Sequence, residues 1–167
     1  IDKAAIAGTG ANNQPTGIVN QSGVNASTYT NGGAPTFADI VGMEGLISTA
    51  DADVSRMAYL TTPPMASGLK LTEKSANTAQ FVWDSTNPGE GRMNGFNARY
   101  SSNVPAGSVI LGNFSDLVIG HWGALEISAD AGGANFAKGS VSVRAIMDMD
   151  VAVRHPESFC VMTGAAP

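Results

Sequence analysis

Lys138-Gly139-Ser140-Val141-Ser142-Val143-Arg144-Ala145-Ile146-Met147-Asp148-Met149-Asp150-Val151-Ala152-Val153 is the stretch whose reading decides the fold. Val141, Val143, Ala145, Met147 and Met149 alternate with Ser140, Ser142, Arg144, Ile146 and Asp148. A period of two belongs to a strand, whose successive side chains point to opposite faces. The run far exceeds the ~5–6 residues of an average strand, so it predicts an extended ribbon. Its antiparallel partner is Leu117–Ser128, where Leu117-Val118-Ile119-Gly120-His121-Trp122 and Leu125-Glu126-Ile127-Ser128 read as strands. The Gly-rich segment from Asp130 to Asn135 supplies the turn between them. Pro156 breaks the run, and Phe159-Cys160-Val161-Met162 adds a last short strand.

Working back from the ribbon, Ser108-Val109-Ile110-Leu111-Gly112 is a compact apolar strand. Arg92 to Tyr100 alternates in polarity and reads as one strand bent at Gly95, after a turn at Asn87-Pro88-Gly89-Glu90-Gly91. Ala79–Trp83 and Met57–Thr61 are further short strands, the latter stopped by Pro63-Pro64. A short helix fits Pro64 to Leu71, with proline near its start, where a missing N–H does no harm. A longer helix fits Phe37 to Ala52, with Thr36 as N-cap and Phe37, Ile40, Val41, Leu46 and Ile47 mostly on one face. Gly42 and Gly45 weaken that helix by about 1 kcal/mol each relative to Ala. Gly17-Ile18-Val19-Asn20 reads as a short strand, and Gln21 to Pro35 as an exposed, mobile excursion. Ile1 to Ala7 reads as the last turns of a helix ending at Gly8 or Gly10. The expectation is therefore a fragment whose N-terminal part is missing. The fold class is α+β, a helix-bearing first half followed by a β-rich second half.

Composition narrows the function. The 167 residues suit one domain. Charged residues are 14%, well below the ~25% of an average soluble domain. Net charge is −5, and the nine Lys and Arg residues form no cluster. The electrostatic footprint of a nucleic-acid binder is absent, and an anionic membrane surface is an equally poor partner. No apolar run reaches the ~18 residues of a membrane span. The single cysteine, Cys160, excludes an internal disulfide framework and a thiolate metal cage.

No catalytic constellation emerges. His121 lies beside Trp122 and His155 before Pro156, both in structural settings without metal-ligand spacing. Gly89-Glu90-Gly91-Arg92-Met93-Asn94-Gly95 lacks the G-x-G-x-x-G spacing of a dinucleotide loop and reads as a hairpin turn. No G-x-S-x-G elbow occurs. Asp148 and Asp150 share a strand face, which the neighbouring Arg144 and Arg154 make a salt-bridged edge rather than an acid–base pair. Glu44, Asp51 and Asp53 lack the spacing of a calcium loop. Trp83 and Trp122 read as core or interface anchors. The reading is therefore of no catalytic, cofactor-binding or metal-binding residue, no cofactor, and no enzyme.

Four stretches, in order, resemble the major capsid proteins of tailed bacteriophages, whose shell fold also occurs in encapsulins. Ile1–Gly10 through Gln14-Pro15-Thr16-Gly17-Ile18 is similar to the end of that family's spine helix and its entry into the axial domain. Arg92 to Pro105 resembles its "G-hydrophobic-P-V…S…hydrophobic-P" segment, with Asn97 where proline is usual. Val109 to Ser115 resembles its "hydrophobic-G-D-F-S" turn, with Asn113 for the usual aspartate. Val141–Ala145 and Asp148 to Phe159 resemble its closing strand and "D-hydrophobic-A-hydrophobic-x-x-P-x-A-F" ending. The resemblance implies an axial-domain mixed sheet flanked by helices, over 14–117 and 156–164. It also implies part of a peripheral domain, over 1–13 and 118–155, including the antiparallel ribbon. The N-terminal arm, the extended loop and most of the spine helix would be missing.

The resemblance further implies a structural subunit of an icosahedral phage or prophage capsid. Its partners are other copies of itself in pentamers and hexamers, with a scaffold and a maturation protease as further partners. No sequence-specific nucleic acid and no membrane enter. The loops at 20–35, 61–68 and 86–92 are candidates for contacts near the symmetry axes. Location would be the virion capsid, and the bacterial host cytoplasm during assembly. The alternatives are an encapsulin-like compartment shell, a decoration or receptor-binding module, and a small hydrolase built on His121 or His155.

Overall fold

The computed structural model describes residues 1–29, 32–50, 56–133 and 137–165. The chain divides into two compact units, Ile1–Val118 with Val151–Pro167, and Ile119–Asp150. Among the described residues, α-helices lie at Asp2–Ala7 (α1), Phe37–Thr49 (α2) and Pro63–Leu71 (α3). The strands among the described residues are β1 (Asn25–Thr28), β2 (Ala58–Thr61), β3 (Asp84–Asn87), β4 (Glu90–Met93), β5 (Phe96–Tyr100), β6 (Val109–Gly112), β7 (Leu117–Asp130), β8 (Ser142–Val153) and β9 (Phe159–Thr163).

The first unit is built on a seven-stranded sheet in the order β1-β9-β6-β2-β5-β4-β3. It is mixed: β1 runs parallel to β9 and β2 parallel to β5, while the other neighbours are antiparallel. Alternation along β6 and β9 sends side chains to two cores. Val109, Leu111, Cys160 and Met162 meet Ile40, Met43 and Ile47 of α2 and Met65, Ala66 and Leu69 of α3. Ile110, Phe159 and Val161 join Ile6 of α1, Ile18 and Val104 in the other. The second unit consists of the ribbon segments of β7 and β8, which pair in a two-stranded sheet.

The helix starts follow local chemistry. Thr36 accepts from the Asp39 backbone N–H, while the Thr36 N–H donates to the Asp39 carboxylate, a complete capping box. Thr62 caps α3, and Pro63 and Pro64 occupy its first turn. The helix expected over 37–52 ends at Thr49, and residues 51–52 lie outside the described ones.

Several expected strands are placed differently. Ile18–Asn20 forms a 3-10 turn instead of a strand, because the Asn20 carboxamide donates to the carbonyls of Ala7 and Gly8. The segment read as an excursion contains β1, held by pairing with β9 and by the Asn25 carboxamide on the Glu157 and Phe159 carbonyls. Ala79–Trp83 is not a strand. The Val82 and Trp83 N–H groups satisfy carbonyls of Thr72 and Leu69, and the strand begins at Asp84. Arg92–Tyr100 is a hairpin of β4 and β5 turning at Asn94 and Gly95, both at positive φ (48° and 83°). Leu117–Ser128, read as two strands, is one continuous strand extending to Asp130.

Candidate functional site

The residues considered for chemistry are distributed over both units. His121 is exposed on β7, and His155 is exposed just before a 3-10 turn at Pro156–Ser158. Asp148 and Asp150 are exposed on β8. Glu44 donates nothing and instead accepts from the Asn94 carboxamide, while Asp51 and Asp53 fall outside the described residues. Among the described residues, no group of three His, Cys, Asp or Glu side chains is arranged to hold a metal ion. The Gly89–Gly95 stretch lies across β4 and its two turns.

Buried titratable groups are core groups. Cys160 is fully buried, and burial pushes its thiol from 9.0 up to about 11, away from the thiolate a nucleophile needs. Tyr59 is buried with its hydroxyl donating to the Ile40 carbonyl, and burial, reinforced by Glu44, raises its pKa. Trp83 is buried against Gly91, and Lys70 lies 5.7 Å from the centroid of its ring.

The surfaces are more informative than any cleft. Within the second unit, Arg144 lies 3.9 Å from Glu126, which puts these two side chains on one face of the ribbon. Their chain neighbours Leu125, Ile127 and Val143 therefore take the opposite face. They are 55%, 64% and 68% exposed. Trp122, Ile146 and Met147 are exposed as well. An isolated two-stranded ribbon is marginal in water. An uncovered apolar face of this kind marks a surface for contact with another protein surface. Sequence reading found the ribbon and its alternation but not the exposure of its apolar face.

In the first unit, the three loops proposed for contacts are not alike. Residues 25–28 form the edge strand β1, residues 63–68 begin α3, and residues 86–92 form the β3–β4 turn and most of β4. The start of α3 and the segment Ser102–Gly107 line a shallow, mainly apolar groove through Pro63, Pro64, Val104 and Ala106.

Comparison with known proteins gives a consistent result. The profile of the phage capsid family matches residues 1–164. The major capsid protein of Halomonas phage phiHAP-1 is 29% identical over 162 residues, which is 96% of this chain and 25% of that protein. The fold is similar to the capsid of a native GTA particle computed with C5 symmetry, at TM-score 0.72 and 17% identity. The match covers 98% of this chain and 60% of that one. It is also similar to a holo encapsulin complex from Synechococcus elongatus, at TM-score 0.59 and 16% identity, covering 89% and 56%. The chain thus spans about a quarter of the curated relative and somewhat over half of the solved structures.

Proposed function

The chain belongs to the phage capsid family, and from that premise we propose that it is part of a structural subunit of an icosahedral capsid. The subunit assembles with copies of itself into pentamers and hexamers that enclose a viral genome. The observation that carries this reading is the ribbon, with Leu125, Ile127 and Val143 on an exposed apolar face. Rings of this kind are heterologous contacts that close by rotation, and a shell gains its stability from many modest interfaces acting together. The subunit resides in the virion capsid and passes through the host cytoplasm during assembly, where a scaffold and a maturation protease are its further partners. It is not an enzyme, a reading supported by the match to the phage capsid family and to a major capsid protein.

Within this reading, residues 14–117 and 156–164 are the axial part. Residues 1–13 and 118–155 belong to the peripheral part. The standing of Ile119–Asp150 as its own unit supports that division, whereas α1 packs Ile6 into the same core as Phe159. An encapsulin-like compartment is the second reading, favoured by the likeness to the Synechococcus elongatus complex. The nucleic acid content of purified particles separates the two.

The test uses the complete product of the gene that encodes this chain. Val143→Glu places a charge on the exposed apolar face and should shift sedimentation from shells or rings towards small species, with circular dichroism unchanged. Unchanged assembly would overturn the role given to the ribbon.

A further inference from the structure

We propose that Asn94 is a self-modifying position. In the folded chain its carboxamide is lost by attack of the Gly95 amide nitrogen, and the new carboxylate undoes the contact that ties the β4–β5 turn to α2. The position lies at the end of the glycine-rich stretch 89–95, just beyond the 86–92 loop offered for contacts near the symmetry axes.

The turn places the two reacting groups on adjacent residues. β4 and β5 are joined by Asn94 and Gly95 alone, since Met93 pairs directly with Phe96. Both turn residues have positive φ, the two-residue turn in which Asn-Gly is the preferred pair. Gly95 carries no side chain to shield its nitrogen, and a Cβ built there would meet nothing within 4 Å. Among the described residues its N–H has no hydrogen-bond partner. The nucleophile is therefore open to solvent. The nitrogen that must leave is held elsewhere: Asn94 Nδ2 donates to Glu44 Oε2 at 2.5 Å, across from α2.

The step balances without oxidant or reductant. The Gly95 nitrogen bonds to Asn94 Cγ and gives its proton to water. The Cγ–Nδ2 bond breaks, and the nitrogen takes up a proton and leaves as ammonia. Water then opens the five-membered imide at either carbonyl, leaving aspartate or isoaspartate at position 94. The net change is water in and ammonia out.

Either product changes the local contact from attraction to repulsion, because a second carboxylate now faces Glu44. Isoaspartate also adds a methylene to the main chain of a turn that holds register with two residues. Glu44 is a positioning residue: by anchoring Nδ2 it restrains the rotation that brings Cγ to the Gly95 nitrogen.

The experiment follows the folded chain in mildly alkaline buffer at body temperature, by peptide mass mapping with separation of isoaspartate and by ammonia release. Conversion at Asn94 is expected, with none at this position in Asn94→Gln. Glu44→Ala should accelerate conversion by up to about tenfold, the scale of one lost charge-assisted hydrogen bond. Glu44→Gln, which keeps an acceptor, should stay nearer the original rate. Circular dichroism and amide exchange in the α2 core positions confirm that each variant is folded at the start. The converted fraction should then show faster exchange in α2. Conversion in urea but not in the folded chain would overturn the proposal. An equal rate in Glu44→Ala would overturn the role given to Glu44.

Discussion

At Gly91 a Cβ would lie 2.1 Å from Trp83 Nε1 and 2.6 Å from its Cε2. The indole is buried, so a side chain there would displace a packed core ring. Gly91→Ala should therefore cost about 1–3 kcal/mol through overpacking, read as a lower denaturant midpoint with an unchanged slope. The same argument holds at Gly112, where a Cβ would lie 2.2 Å from Phe159 Cδ1. Titration gives a second test at this scale. Burial raises the Cys160 thiol from 9.0 to about 11, and burial together with Glu44 raises Tyr59 in the same direction. A group with a raised pKa binds its proton more tightly in the folded state. Its stabilisation is complete below the unfolded value and is lost as pH climbs through the folded one. Stability should therefore be flat up to about pH 9 and fall between about pH 9 and 11 for the thiol. Denaturant midpoints measured across that range check it, and a rise there would contradict the assignment.

Elements show how far local chemistry reaches. The start of α2 was legible from Thr36, because a capping side chain is a local property, and the box formed with Asp39 bears it out. Thr36→Ala should destabilise by about 1 kcal/mol, and Thr36→Ser should recover most of it, as thermal melts would show. The β4–β5 hairpin was missed although Asn94-Gly95 is a strong turn signal. Alternation on both sides of it, from Arg92 to Tyr100, imitates a single strand. β1 and β3, Asn25–Thr28 and Asp84–Asn87, carry almost no apolar pattern. They are strands because β9 and β4 offer them edges, a tertiary cause that no local window contains. The ribbon was legible as one long strand paired with two shorter ones that are in fact continuous, but exposure depends on what packs beside it. Amides of Ile119–Asp150 should accordingly exchange faster than those of β6 and β9 in the isolated chain. Equal protection in the two regions would mean that the ribbon is covered within the chain itself.

The whole molecule combines a sheet with a core on each face and a ribbon whose apolar residues face water. Low charge, small residues and exposed apolar ribbon residues accompany membership of the phage capsid family. The sequence carries no catalytic motif around His121 or His155, and each of the two is exposed. Assembly is the central claim, and imaging tests it most directly. Negative-stain electron microscopy of the complete gene product should show closed shells or flat rings of five or six subunits. Dispersed small particles at every salt and protein concentration would contradict it and move the function towards a decoration or binding module.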